Sequence, residues 1–86
     1  MRQNMKTTIM PLNQSSEGMH LKVLNLKFSG SEKRRIFDLG IIPGTKIKAL
    51  QKSPLGDPAA YFVRGTVLAF RNEDARKIIV ETIDLP

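Results

Sequence analysis

Apolar and polar positions alternate along two stretches of the chain, and short apolar-rich stretches bounded by turns follow; both patterns predict strands. From Met19 to Leu26, Leu21 and Val23 share one face, with His20, Lys22 and Leu24 on the other. From Thr45 to Lys52, Ile47 and Ala49 oppose Lys46 and Lys48. From Ala59 to Arg64, Ala59, Tyr61 and Val63 face the core and Ala60 and Phe62 face out. Thr66 to Phe70 follows across Arg64-Gly65, a tight hairpin link. A fifth strand, Ile78 to Ile83, turns Ile78 or Ile79 and Val80 inward.

Between the first two strands the period lengthens. Ile36 and Leu39 lie three apart and share a face flanked by Phe37, which predicts a helix over about Ser31 to Leu39. Lys33, Arg34 and Arg35 cover its remaining surface. Ser29 and Glu32 have capping-box spacing, with Ser31 as an alternative N-cap. Gly40 suits the left-handed residue that ends such a helix. In Ile42-Pro43-Gly44-Thr45, proline presets φ and glycine supplies a positive φ, the signature of a type II turn. Pro54, Gly56 and Pro58 make Ser53–Pro58 a stiff loop with Leu55 at its tip. Asn72 to Lys77 reads as a helical turn capped by Asn72, with Glu73 and Asp74 at its positive end.

Met1 to Ile9 shows no period and is expected to be a disordered extension, with Leu12 a lone apolar anchor beyond it and residues 84–86 a tail. Five strands, one helix in a connection and a helical turn before the last strand make a small, mostly β barrel. Pairing the last strand near the first would remove exposed edges.

With 86 residues the chain makes one small domain, and such domains bury only about 60% of their unfolded surface. No cysteine is present, so disulfides and thiolate metal sites are excluded. No apolar run reaches the roughly 20 residues that span a bilayer, so membrane insertion is not expected. Net charge is +6 and uneven: residues 1–56 hold ten Lys/Arg and three Asp/Glu, giving +7, and residues 57–86 hold four and five, giving −1. A basic surface of this kind attracts nucleic acid, an anionic leaflet or an acidic protein.

The chemistry points to binding, not catalysis. His20 is the single histidine, without a second His or any Cys as co-ligand, and reads as an exposed strand residue. Gly40, Gly44 and Gly56 lack the strand-loop-helix context and lysine of a phosphate loop. No Ser/His/Asp set can be assembled. The chain is read as a non-enzyme without cofactor or metal. Asp38 stands at the helix's carbonyl end, where the dipole disfavours it. It is therefore expected to accept hydrogen bonds from a loop backbone or from Arg64. Asp57 reads as an Asx-type turn former, or as part of a docking loop, Pro54-Leu55-Gly56-Asp57-Pro58. Phe62 and Val67, with Leu24 or Leu50, form a candidate contact for a second copy or another protein.

Four motifs then fall in one order: Arg34-Arg35-Ile36-Phe37-Asp38-Leu39-Gly40, Pro43-Gly44-Thr45, Pro54-Leu55-Gly56-Asp57-Pro58 and Val63-Arg64-Gly65. Together they resemble the bacterial ferrous-iron transport protein A (FeoA) family over roughly Pro11 to Glu81. The turn Ser15–Gly18 departs from it: related chains tend to carry an apolar residue near Ser15 and a Pro-Gly pair. The resemblance implies an SH3-like barrel over residues 10–83, in the cytoplasm, assisting a membrane ferrous-iron transporter (FeoB). Gly40, Pro43, Gly44, Gly65 and Asp38 would serve the fold. Lys33, Arg34 and Arg35 would steer the transporter's cytoplasmic part, and the Pro54–Pro58 loop with Phe62 and Val67 would supply the buried contact. A homo-oligomer is a further possibility. Two alternatives stand beside this: nucleic-acid binding, disfavoured by few aromatics and no stacking platform, and a regulatory partner acting in trans on a metal-dependent repressor.

Overall fold

The computed structural model describes residues 7–83; the expectations for residues 1–6 and 84–86 lie outside the described residues. Among the described residues six strands form one antiparallel sheet: β1 (Ile9–Pro11), β2 (His20–Leu26), β3 (Lys46–Lys52), β4 (Ala59–Val63), β5 (Thr66–Phe70) and β6 (Ile78–Thr82). Helix α1 (Gly30–Asp38) connects β2 to β3, and α2 (Asn72–Ala75) precedes β6. The sheet order is β1-β6-β2-β3-β4-β5.

Period-2 alternation places the core as expected. Leu21, Val23, Ile47, Ala49, Tyr61, Val63, Ile78 and Val80 are all buried. The choice between Ile78 and Ile79 falls to Ile78, which shares a face with Val80. Tyr61 packs on Phe70 with ring centroids 6.0 Å apart and tilted by 41°, a favourable offset for two aromatic quadrupoles.

Three expectations need correction. Ile9, expected in the extension, pairs with Glu81, and the Thr82 N–H donates to the Thr8 carbonyl at 2.9 Å. This sixth strand is too short to show a period, and backbone pairing alone defines it. Leu12 next to it is fully buried. Second, β6 does lie beside β2, but the ladder stays open and β5 remains an edge. Third, Leu39, expected to share a face with Ile36, is 42% exposed while Ile36 is buried. The chain reverses at Gly40, and Ile41 enters the core in its place, fully buried.

That reversal is a Schellman turn. The Ile41 N–H donates to the Ile36 carbonyl and the Gly40 N–H to the Phe37 carbonyl, with Gly40 at φ +90°. Ile36 and Ile41, the apolar pair this motif calls for, are both buried in the one core cluster. Ser29 holds the N-cap position without a side-chain cap bond, and Glu32 pairs instead with Lys77 at 3.7 Å.

Candidate functional site

The two connections that flank β4 shape the surface around it. Ahead of β4, the Ser53–Pro58 loop closes on itself: the Ser53 N–H donates to the Pro58 carbonyl at 3.1 Å, and the Gly56 N–H donates to the Ser53 carbonyl at 2.8 Å. Pro54 and Gly56 are exposed, and Leu55 between them is 93% exposed. Asp57 does not form the expected local turn bond. Its Oδ1 accepts the Asn72 backbone N–H at 2.9 Å, fifteen residues away. Asp57 thereby caps α2. Asn72 is the first helical residue, not the cap, and its Oδ1 accepts from Asn13 Nδ2 at 2.9 Å. The loop is thus pinned at its base and free at its tip.

After β4, Arg64 and Gly65 both take positive φ, +51° and +81°, the geometry of a type I′ hairpin turn. The Arg64 side chain lies across Gly40: a Cβ built there would meet Arg64 Cδ at 2.8 Å. Nearby, Gly44 at φ +96° completes the turn after Pro43, and the Thr45 N–H donates to the Ile42 carbonyl at 3.0 Å. Thr45 Oγ1 accepts the Ile42 N–H and donates to the Gly40 carbonyl. The Gly44 N–H donates to the Val23 carbonyl at 2.7 Å, which stitches the turn to β2.

This overturns the expected anchor for Asp38. Asp38 is exposed and makes no hydrogen bond or ion pair among the described residues. The Arg64 side chain lies across the bare Gly40 surface and pairs with no carboxylate among the described residues.

Phe62 and Val67 stand directly opposite each other on β4 and β5 and are 44% and 59% exposed. Val67, Ala60 and Leu50 also line a shallow depression of about 350 Å³ with Glu17 and Gln51. Leu24, at 36%, lies on β2, two strands away from β4 in the sheet order. Lys33, Arg34 and Arg35 are exposed on α1. Lys33 Nζ sits 5.7 Å from the Phe37 ring centroid. Arg35 borders a separate depression with Leu39, Ala69, Arg71 and Asp74. The structure therefore unites Phe62 with Val67. Leu55 and the Arg64-Gly65 turn fall at opposite ends of β4. Among the described residues no group of three or more His, Cys, Asp or Glu is placed to hold a metal ion. Among the described residues no helix is long and apolar enough to cross a membrane.

Sequence reasoning missed the polar row beside Phe62. Lys48 is its direct neighbour on β3, and His20 on β2 continues the row. The alternation of Lys46 and Lys48 was visible, but only the register shows what they face.

Residues 10–82 match the family model described as the FeoA domain. The chain belongs to the FeoA domain family. It is 32% identical over 74 residues to the Fe(2+) transport protein A/Fe(2+) transporter FeoB fusion protein of Porphyromonas gingivalis; that match covers 86% of the chain and 9% of the far longer relative. The solution structure of a FeoA-like protein from Clostridium acetobutylicum superposes with a TM-score of 0.80 at 33% identity, covering 91% of each chain. FeoA of Stenotrophomonas maltophilia, crystallised with zinc and described as a prokaryotic SH3-domain protein and a candidate ferrous iron transport activating factor, has a TM-score of 0.71 at 24% identity, over 83% of this chain and 88% of its own. At that identity the likeness carries the fold: a mostly β, SH3-like FeoA domain.

Proposed function

We propose that this chain is a cytoplasmic accessory of ferrous-iron uptake that binds the cytoplasmic part of a FeoB-type transporter and modulates it by protein–protein contact. The observation that carries the reading is the P. gingivalis relative, in which a FeoA and a FeoB part share one polypeptide. A tether raises the local concentration of two partners that act together. Where no tether acts, a surface has to supply the affinity. The exposed Leu55 tip and the Phe62–Val67 pair are suited to this, being apolar side chains held on a rigid sheet and a pinned loop. Lys33, Arg34 and Arg35 would accelerate encounter with an acidic surface more than they hold it. The role is binding, with no catalytic step assigned to any side chain.

The test is a titration of the full chain against the cytoplasmic part of its host's ferrous-iron transporter, at low and high salt, with and without ferrous iron. Saturable binding weakened by Leu55→Ser or Phe62→Ser is the expected result. A folded protein that binds under none of these conditions would overturn the reading.

A further inference from the structure

Beside Phe62 the outer face of the sheet opens into a groove of about 320 Å³. Its rim carries His20, Lys46, Lys48 and Arg64, its apolar side is formed by Phe62 and Ile83, and no carboxylate among the described residues lines it. The charges are poorly placed for the isolated domain. Lys46 stands directly opposite Lys22, and Lys48 opposite His20. Two lysines directly opposite, as Lys46 and Lys22 are, repel and destabilise a sheet. Lys22 is relieved by Glu81 of β6 at 3.4 Å, but Lys46, Lys48 and Arg64 form no ion pair among the described residues. The other ion pair among the described residues joins Lys77 to Glu32, away from the groove. The groove thus concentrates unmatched positive charge around a half-exposed aromatic ring.

We propose that this groove binds an extended acidic segment of a protein partner. Lys46 and Lys48 lie two residues apart on one face of β3, so their Cα atoms repeat at about 7 Å, the same repeat as alternate residues of any extended chain. Carboxylates on alternate positions of the incoming segment meet Lys46 and Lys48. Arg64 holds a further carboxylate at the hairpin end. An apolar side chain between them lies against Phe62 and Ile83. Phosphate chemistry fits less well, because the cations are spread along a strand and do not converge on one point. Only the owner of the segment rests on the function proposed above: if that reading holds, the segment belongs to the transporter's cytoplasmic part.

The probe is a short capped peptide alternating Glu and Thr with one central Leu, titrated into the isotope-labelled full chain and followed by amide chemical shifts. Shifts are expected at Lys46, Lys48, Phe62, Arg64 and Gly65, weakening with salt. The double variant Lys46→Glu/Lys48→Glu is expected to lose about tenfold or more in affinity, while melting no lower than the parent. Should it fail to fold, Lys46→Gln/Lys48→Gln removes the charge with less disturbance and is expected to lose affinity in the same direction. No binding, shifts confined to other surfaces, or undiminished binding by the folded variant would overturn the proposal. So would equal or tighter binding of a single-stranded oligonucleotide to the same residues, which would mark a general polyanion surface. The two readings fail separately. A transporter fragment that binds parent and double variant alike removes the groove as its site and leaves the accessory function standing. A groove that takes the peptide in a chain that ignores the transporter removes the accessory function alone.

Discussion

The two faces of β3 and β4 differ in what they answer to. On the inner face Ile47, Ala49, Tyr61 and Val63 are each at most 2% exposed, and every one is explained by packing. On the outer face Lys46, Lys48 and Phe62 are exposed, and Lys46 faces another lysine. Packing explains none of them. Residues that folding does not need, set in an arrangement that folding mildly disfavours, are where a binding role is to be sought. The comparison makes a quantitative claim: inner-face and hinge substitutions should cost stability, and outer-face ones should not.

The largest effect is expected at Leu21, which is fully buried on the inner face of β2. Leu21→Ala should cost about 3 kcal/mol in urea unfolding, from lost burial plus the cavity left behind. In a domain this small, that is a large share of the total stability. Next comes Gly40→Ala, at about 2 kcal/mol. One part is the positive φ of +90°, which an L side chain resists. The other is the Arg64 side chain lying where the new Cβ must go. The parts separate in a double-mutant cycle: with Arg64→Ala in the background, Gly40→Ala should cost less, because only the backbone strain remains.

How much of this was readable in the sequence follows the same division. Inner faces were legible wherever a strand was long enough to alternate, as in Leu21/Val23, Ile47/Ala49 and Tyr61/Val63. Glycines were legible because few residues suit a left-handed turn, and Gly40, Gly44 and Gly65 all have positive φ. What escaped depended on register or distance. β1 has three residues and no period. Asp57 reaches a backbone N–H fifteen residues away. Arg64 covers Gly40 through a turn whose side-chain direction no local pattern specifies. Helical spacing pairs Leu39 with Ile36 and cannot show that the chain turns over and sends Ile41 inward instead. The cationic groove draws on three neighbouring strands, β2, β3 and β4, so it exists only once their register is known.

Asp57 tests the hinge between loop and sheet more gently. Asp57→Ala leaves the Asn72 N–H without its partner, and loss of a helix cap costs about 1 kcal/mol. The loop base should also loosen, seen as faster amide exchange at Ser53 and Gly56. The same carboxylate acts on Tyr61. Burial foremost, and the Asp57 charge second, raise the Tyr61 phenol above its ordinary value of 10.0. The folded state therefore holds this proton longer than the unfolded chain does. The resulting stability is complete below pH 10 and falls as pH rises toward the folded value. Tyr61→Phe should remove that alkaline loss, checked by urea midpoints measured across the alkaline range.

The smallest effect is the most discriminating, because its sign separates the two faces. Lys46→Glu places a carboxylate opposite Lys22 on β2, turning a cross-strand repulsion into an attraction. Lys22 already touches Glu81 on its other side, so the gain is limited. An exposed pair of this kind contributes a few tenths of a kcal/mol. The expected result is a melting temperature equal to the parent's or slightly higher, with the difference fading at high salt. A clear loss of stability would mean that Lys46 packs its stem against the sheet as structural residues do, and the outer face would then answer to folding after all. A gain would mean that the natural lysine stands at this position against the domain's own stability, which is the expected mark of a residue kept for something outside the domain.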